Sequence, residues 1–206
     1  MFKNRSDAGE KLAERLLRYK NSNALVLALP RGGVVVGREV ARALGVPLDI
    51  VVARKIGHPQ NPEYAICATD EKGTLLCNEA EARLVRKEWL TEEIERQTRE
   101  AKRRMRVYRG GREPVSVTNK VAIIVDDGVA TGLTIRLAVK AVKEQKPSRV
   151  IVAVPVAPSD VVHELEGEVD EIIVLEPPED FVGAVGAHYE DFEQVEDDTV
   201  IRLLQL

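Results

Sequence analysis

Thiols are rare in this sequence: Cys67 and Cys77 are the only two cysteines. No C-x-x-C pair or Cys/His set surrounds them, which excludes a cysteine-built metal site and leaves them as small core or loop residues expected in a reducing compartment. Net charge is also low, −4 over 206 residues, so no global field for binding a polyanion is implied. No stretch approaches the length of a membrane span, and the charged N-terminus MFKNRSDAGEKLAERL lacks the apolar centre of a signal peptide. A cytoplasmic protein without membrane contact is expected. Internal repeats and low-complexity tracts are absent, and so is any G-x-x-x-x-G-K-[ST] phosphate loop.

What is present is 44% hydrophobic residues, enough for the core of one α/β domain. Charged residues reach 31%, a surface rich in ion pairs with a lean towards a thermophilic source. Apolar runs alternate with helical periodicity along most of the chain. Ser6 or Asp7 is placed to cap a helix over Asp7–Tyr19, with Leu12, Leu16 and Tyr19 on one face. ALVLAL (Ala24–Leu29) reads as a buried strand stopped by Pro30-Arg31-Gly32-Gly33, then a helix, then a second buried strand, LDIVVAR (Leu48–Arg54). That is a β-α-β unit with parallel strands.

The rhythm breaks over Ile56–Asp70, rich in Gly and Pro, and YAICAT with TLLC suggests a short hairpin around Glu71-Lys72-Gly73. Asn78–Tyr108 reads as one long helix, whose seam of Leu90, Ile94, Ala101, Met105 and Tyr108 suggests a helix–helix or subunit contact and hence a homodimer. Three further strands, KVAIIV, RVIVAVPVAP and DEIIVLEPP, alternate with helices, and a last helix is expected near Asp197–Leu204. The pattern specifies a doubly wound, mostly parallel sheet flanked by helices. One domain is expected over 1–206, with 56–118 as a flexible loop, hairpin and long-helix insertion and 177–206 as a C-terminal hood.

Chemistry concentrates in VAIIVDDGVATGLT (Val121–Thr134). Thr131-Gly132-Leu133-Thr134 falls in the first turn of a helix, where backbone N–H groups lack partners and the macrodipole is positive. With two hydroxyls, and a glycine that admits an anion to the backbone, it suits a phosphate monoester. Asp126 and Asp127 just before it would repel that phosphate unless they hold another part of the same ligand. Vicinal ribose hydroxyls answer that need, because a carboxylate accepts two hydrogen bonds from a diol. The bland alternative is a turn and helix cap.

Val121–Thr134 resembles the signature of type I phosphoribosyltransferases, which bind phosphoribosyl pyrophosphate (PRPP). The resemblance implies Asp126 and Asp127 on the ribose hydroxyls, and Gly128 and Ala130 to Thr134 around the 5′-phosphate. Pro30-Arg31-Gly32-Gly33 resembles the family's pyrophosphate loop, and Arg54-Lys55 its next basic element. Ile56–Asp70 takes the place of the loop that closes over the reacting centre. Mg²⁺ is implied as cofactor, held through the ligand's oxygens with Asp126 and Asp127 as the candidate protein contacts. More narrowly, LALPRGG, LDIVVARKIG and AVGAHYEDFEQVEDDTVIRLL resemble an uncharacterised phosphoribosyltransferase-like group.

The expected activity is transfer of ribose-5-phosphate from PRPP to a nucleobase-like acceptor with release of pyrophosphate, and Arg31, Lys55, Asp126 and Asp127 as catalytic residues. Two alternatives stay open: the reverse phosphorolysis, and a PRPP-sensing regulator that binds RNA through the basic stretch Arg99–Arg112. Interleaved acids such as Glu95 and Glu100 favour self-paired charge there, so nucleic acid is not the expected partner. Where 6-oxopurine members of the family carry an aspartate, this chain has Ala130. Hypoxanthine and guanine are therefore expected to be poor acceptors unless Glu190 or Asp191 substitutes. His188 is a candidate for the acceptor side, His58 and His163 read as solvated or structural, and Trp89 reads as packing.

Overall fold

Leu25, Val26, Leu27 and their neighbours alternate between two faces, and each face is covered by a different layer. The computed structural model describes residues 1–205. Its elements are α1 (Arg5–Arg15), β1 (Ala24–Ala28), α2 (Gly32–Leu44), β2 (Leu48–Ile50), β3 (Ala53–His58), β4 (Asn61–Asp70) and β5 (Leu75–Cys77). Then come α3 (Glu79–Ala82), α4 (Lys87–Arg109), β6 (Val121–Val125), α5 (Leu133–Lys143), β7 (Arg149–Val154), α6 (Ser159–Glu166), β8 (Glu171–Val174) and α7 (Asp197–Gln205). Five strands form a wholly parallel sheet in the order β2-β1-β6-β7-β8. Its strand order reverses between β1 and β6, and ligands of open α/β sheets bind at that switch point, beyond the carboxyl ends of the strands.

Val26, Ile123, Val125, Ile151 and Ala153 pack on Leu12 of α1, Leu16 just after it, and Val36 and Val40 of α2. Leu25, Leu27, Ile124, Val150 and Val152 face the other way, onto Leu137, Ala138 and Val142 of α5 and Ala65 and Ala68 of β4. Burial of each such side chain is worth about 1.5–3 kcal/mol, so both layers are needed to hold the sheet.

Several sequence-based expectations are corrected. Asn4, not Ser6 or Asp7, caps α1, accepting from Asp7 N at 3.0 Å. The helix ends at Arg15, and Leu17–Tyr19 is a 3₁₀ turn. The run Leu48–Arg54 is two strands: β2 ends at Ile50, and Ala53 opens a separate antiparallel sheet in the order β3-β4-β5. Ile56–Asp70 is accordingly paired strand for most of its length rather than loop. Asn78–Tyr108 is broken at Arg86, whose extended backbone lets Val85 reach the cluster of Ile56, Ile66 and Cys67.

Cys67 and Cys77 lie opposite each other on β4 and β5 and form a disulfide, contrary to the expectation of thiols in a reducing compartment. The apolar seam of the long helix is spent inside the chain. Leu90 and Ile94 pack with Trp89 against the β3–β4 cluster, while Ala101, Met105 and Tyr108 pack against Val52 and Val200. A buried carboxylate closes the excursion between β2 and β6. Asp49 accepts from Arg109 Nε and Nη2, both at 3.2 Å, and from Val115 N at 2.9 Å. No described helix is long and apolar enough to cross a membrane.

Candidate active site at the β1–β6 switch point

The loops after β1 and β6 interlock because their glycines leave no room for anything else. A Cβ on Gly33 would stand 2.8 Å from Asp126 Oδ1 and 2.9 Å from Asp126 Cα, and one on Gly32 would overlap Asp127 Oδ2. Gly132 caps α5 from the left-handed region at φ +77°, where an L side chain is strained. The first bond of α5 runs from Arg136 N to the Gly132 carbonyl at 2.9 Å. The N–H groups ahead of it have no intrahelical partner and carry the positive end of the helix dipole.

A cleft of ≈500 Å³ opens over these loops. One wall holds Asp126, Asp127, Gly128, Ala130, Thr131 and Thr134. Arg31, Gly32, Arg54 and Lys55 line the same cleft. Of the expected site residues, Gly33, Gly132 and Leu133 do not line it: the glycines shape the backbone, and the Leu133 side chain is buried in the core.

Arg54 is held by α4, Arg31 by the start of α7, and Lys55 by β4. Arg54 Nε donates to Gln97 Oε1 at 3.0 Å. Burial, and then the Arg104 guanidinium beside it, push Arg54 down to about 10. An arginine so placed, with a neutral partner and other arginines near, favours an anion in front of it. Arg31 Nη1 lies 3.6 Å from both Glu196 and Asp197. Arg104, itself buried, donates to Glu100 at 2.8 Å and to the Pro30 carbonyl at 3.4 Å, which fixes the loop that carries Arg31. Lys55 Nζ meets Glu63 Oε2 at 2.6 Å.

The acidic pair sits differently. Asp126 Oδ1 accepts from Asp127 N at 2.9 Å. Burial, and then the neighbouring Asp127, raise Asp126 well above the usual carboxylate range. Asp127 Oδ2 accepts from Arg5 Nε at 2.6 Å, and its carbonyl accepts from Tyr189 Oη at 2.6 Å. Arg5 and Tyr189 are not singled out by the sequence. Arg5 looks like one more charge at a helix start, and Tyr189 adjoins the candidate His188.

His188 does not reach the cleft. It is buried against Phe181, its Nε2 accepts from Val182 N at 3.1 Å, and its Nδ1 therefore carries the proton shared with Glu176 Oε2 at 2.5 Å. Neither Glu190 nor Asp191 lines the cleft. The third lining carboxylate belongs to Glu63, and the segment after β8 contributes Gly183 to Gly186 and Phe192 instead. The basic face of α4 is largely paired: Arg99 with Glu95, Arg103 with Glu100 and Asp197, Arg109 with Asp49. That leaves the RNA-binding alternative without support.

Comparison with known proteins matches the phosphoribosyl transferase domain family over residues 2–191. Two curated Mycobacterium tuberculosis proteins, from strains CDC 1551 / Oshkosh and H37Rv, are named provisionally as phosphoribosyl transferases. Each is 40% identical over 206 residues, 99% of this chain and 46% of its own length. The chain thus spans about half the length of the curated relatives it matches. Among solved structures, TT1426 from Thermus thermophilus is similar at a TM-score of 0.78 and 42% identity, covering 99% of this chain and 97% of that one.

Proposed function

Because this chain belongs to the phosphoribosyl transferase family, we infer that it binds PRPP in the switch-point cleft and transfers its ribose-5-phosphate to a nitrogen acceptor, releasing pyrophosphate. The observation that carries the reading is that three unlike groups line one cleft. They are an acidic pair, a helix N-terminus with free N–H groups, and the cations Arg31, Arg54 and Lys55. A ribose phosphate bearing a diphosphate has those same three chemistries in one molecule.

In this reading Asp126 and Asp127 take the ribose hydroxyls, and the backbone from Ala130 to Thr134, with its two threonine hydroxyls, takes the 5′-phosphate. The C1′–oxygen bond breaks with its electron pair leaving on the diphosphate. Arg31, Arg54 and Lys55 offset that growing charge; Gln97 holds Arg54 in advance, and Arg104 and Asp197 hold Arg31 and its loop. The acceptor nitrogen then bonds to C1′, and the proton it gives up passes to solvent. The hairpin of β3 and β4 overhangs the centre and limits water there.

The donor set suits an Mg²⁺ ion brought on the substrate. Asp127 Oδ2 is committed to Arg5, and among the described residues no group of three metal-ligating side chains gathers. Asp126 and Asp127 would be its nearest protein groups, and bound there it would act as template and Lewis acid. An intracellular setting belongs to the proposal, and the Cys67–Cys77 bond fits it in an organism whose cytosol tolerates disulfides. The homodimer has lost the argument from the α4 seam.

The acceptor wall is apolar. Val129, Ala130, Val185 and Phe192 line it, with Gly183 to Gly186 offering backbone groups, which suits a flat neutral ring. The deciding experiment is a panel of bases and small amines with PRPP and Mg²⁺, read by pyrophosphate release. Release dependent on one acceptor establishes the transfer. No release from any acceptor, together with no PRPP binding, would overturn the reading.

A further inference from the structure

Arg5 occupies a position no surface arginine needs. Its Nε donates to Asp127 Oδ2 at 2.6 Å while Nη1 donates to the Glu193 carbonyl at 2.7 Å. Its guanidinium carbon stacks 3.7 Å above the Phe192 ring. The side chain is 11% exposed, and Asp127's is 16% exposed. A Cβ on Gly32 would come within 2.7 Å of Arg5 Nε, so the loop after β1 closes against the same pair. From the start of α1, one guanidinium therefore meets three pieces of chain that are remote in sequence: the loop after β1, the loop after β6, and the segment before α7.

The cost of placing a charge there argues for a purpose. A buried arginine loses its hydration, and its long side chain loses rotamer freedom. An anchor for α1 alone would be served by apolar residues, and Leu12 and Leu16 already provide that packing. What Arg5 adds is direction. Its Nε–H holds one oxygen of the Asp127 carboxylate, and the guanidinium plane is itself fixed by the Nη1 bond to Glu193 and the Phe192 ring. Oδ2 is committed to Arg5, which leaves Oδ1 for a ligand. Tyr189 fixes the same residue from its carbonyl.

We propose that Arg5 is the positioning residue of the ribose site: by fixing Asp127 it makes the acidic pair selective for a sugar with vicinal hydroxyls. The proposal rests on the reading of the cleft as a ribose-phosphate site and adds the residue that confers its selectivity. Arg5 itself is not among the residues lining the cleft, so it acts through Asp127.

The test compares ribose 5-phosphate with 2-deoxyribose 5-phosphate, by calorimetry, on the full chain. Both sugars carry the phosphate, and only the first offers the diol. The wild-type protein should prefer ribose 5-phosphate by about tenfold or more, the size of one charge-assisted hydrogen bond. In Arg5→Gln the preference should fall to about threefold or less while binding of the deoxy sugar is nearly unchanged. Arg5→Lys keeps the charge but cannot serve Asp127 and Glu193 together, so its preference should lie between the two. A purely structural role would weaken both sugars equally, and that result overturns the proposal. So does a preference left intact in Arg5→Lys, the variant that decides if Arg5→Gln does not fold. Should the wild-type protein bind the two sugars alike, the diol reading of the cleft fails and takes the proposal with it. An intact wild-type preference that survives in the variants leaves the reading standing and removes only Arg5.

Discussion

Lys55 on β3 and Glu63 on β4 face each other across the hairpin that overhangs the cleft, Nζ to Oε2 at 2.6 Å. Both side chains are well exposed, 41% and 89%, so the pair contributes at most about 1 kcal/mol. A diphosphate arriving at Lys55 must displace Glu63. Glu63→Gln should therefore tighten binding of inorganic pyrophosphate, by up to about fivefold, as read by calorimetry. Weaker binding in the variant would show that Glu63 assists the ligand instead of competing with it.

Asp126 should trade stability against binding. Its pKa in the folded chain is raised above 3.8, so the native state holds a proton more tightly than the unfolded one does. Stability is then lost as pH rises from about 3.8 through the raised folded value, and it stays lower above that. Asp126→Asn should melt higher than wild type at pH 7, with the difference fading below about pH 4, where Asp126 is protonated in the folded and the unfolded chain alike. Its affinity for ribose 5-phosphate should fall. Thermal melts from about pH 3 to 8 decide it, and a variant less stable at pH 7 would contradict the assignment.

The phosphate cradle is better probed at its hydroxyls than at its glycine. Any side chain at Gly132 meets Val161 at 2.9 Å and strains the cap, so a loss there would report folding. Thr131 and Thr134 both line the cleft. Thr131→Val with Thr134→Val should leave the melting temperature of the free protein nearly unchanged and lower its rise with ribose 5-phosphate. Two hydrogen bonds to a charged group, at about 1.5–3 kcal/mol each, should weaken the affinity by about a hundredfold or more. Unchanged protection would place the phosphate elsewhere.

Acceptor choice follows from Ala130 and the apolar wall. Any purine gives up a ring proton as its nitrogen bonds to C1′, but the aspartate that 6-oxopurine members of the family carry against their base is Ala130 here, and the Gly183–Gly186 segment offers no side chain in its place. With PRPP and Mg²⁺, hypoxanthine and guanine should release pyrophosphate at a rate well below that seen with adenine or a comparable neutral ring. A faster reaction with hypoxanthine would point to Glu63 as the missing base.

The disulfide carries a stability prediction. It closes a loop of Cys67 to Cys77, ten positions apart, for which loop-closure entropy gives about 2–3 kcal/mol. Reduction, or Cys67→Ala with Cys77→Ala, should lower the denaturation midpoint by that order and free the β4–β5 hairpin first. Hydrogen exchange would locate the change. An unshifted midpoint on reduction would mean that the bond constrains nothing.

Whatever leaves a periodic or chemical trace in neighbouring residues is legible in the sequence. The parallel strands show as short apolar runs, and the two loops stand out because acids, glycines and hydroxyls follow such runs. The split of Leu48–Arg54 leaves no trace. Ile50, Val52 and Ala53 are all buried, so the apolar run continues straight through the step from one sheet to the other. Arg5, Gln97 and Arg104 are hidden for a related reason. Each sits among other charged or polar residues on a helix, and its partners lie 122, 43 and 74 positions away. No local pattern separates such residues from solvated ones. Tyr189 is within reach: an aromatic beside the candidate His188, in a chain with only 4% aromatics, merits a partner.

Asp49 has a consequence for how this architecture can vary. By gripping both Arg109 and Val115 N it brings the exit and return of residues 51–114 to one point on the edge of the sheet. A segment whose ends meet can be lengthened, trimmed or exchanged without moving the strands that flank it. Arg54, its support Gln97 on α4, and Lys55 with the β3–β4 hairpin all travel within that segment. Arg31 on the loop after β1, with the acidic pair and helix N-terminus after β6, stays behind. Lineages could therefore swap part of the leaving-group site as a cassette while inheriting Arg31 and the grip on ribose unchanged, and a chimaera cut at Asp49 and Val115 is the natural place to try it.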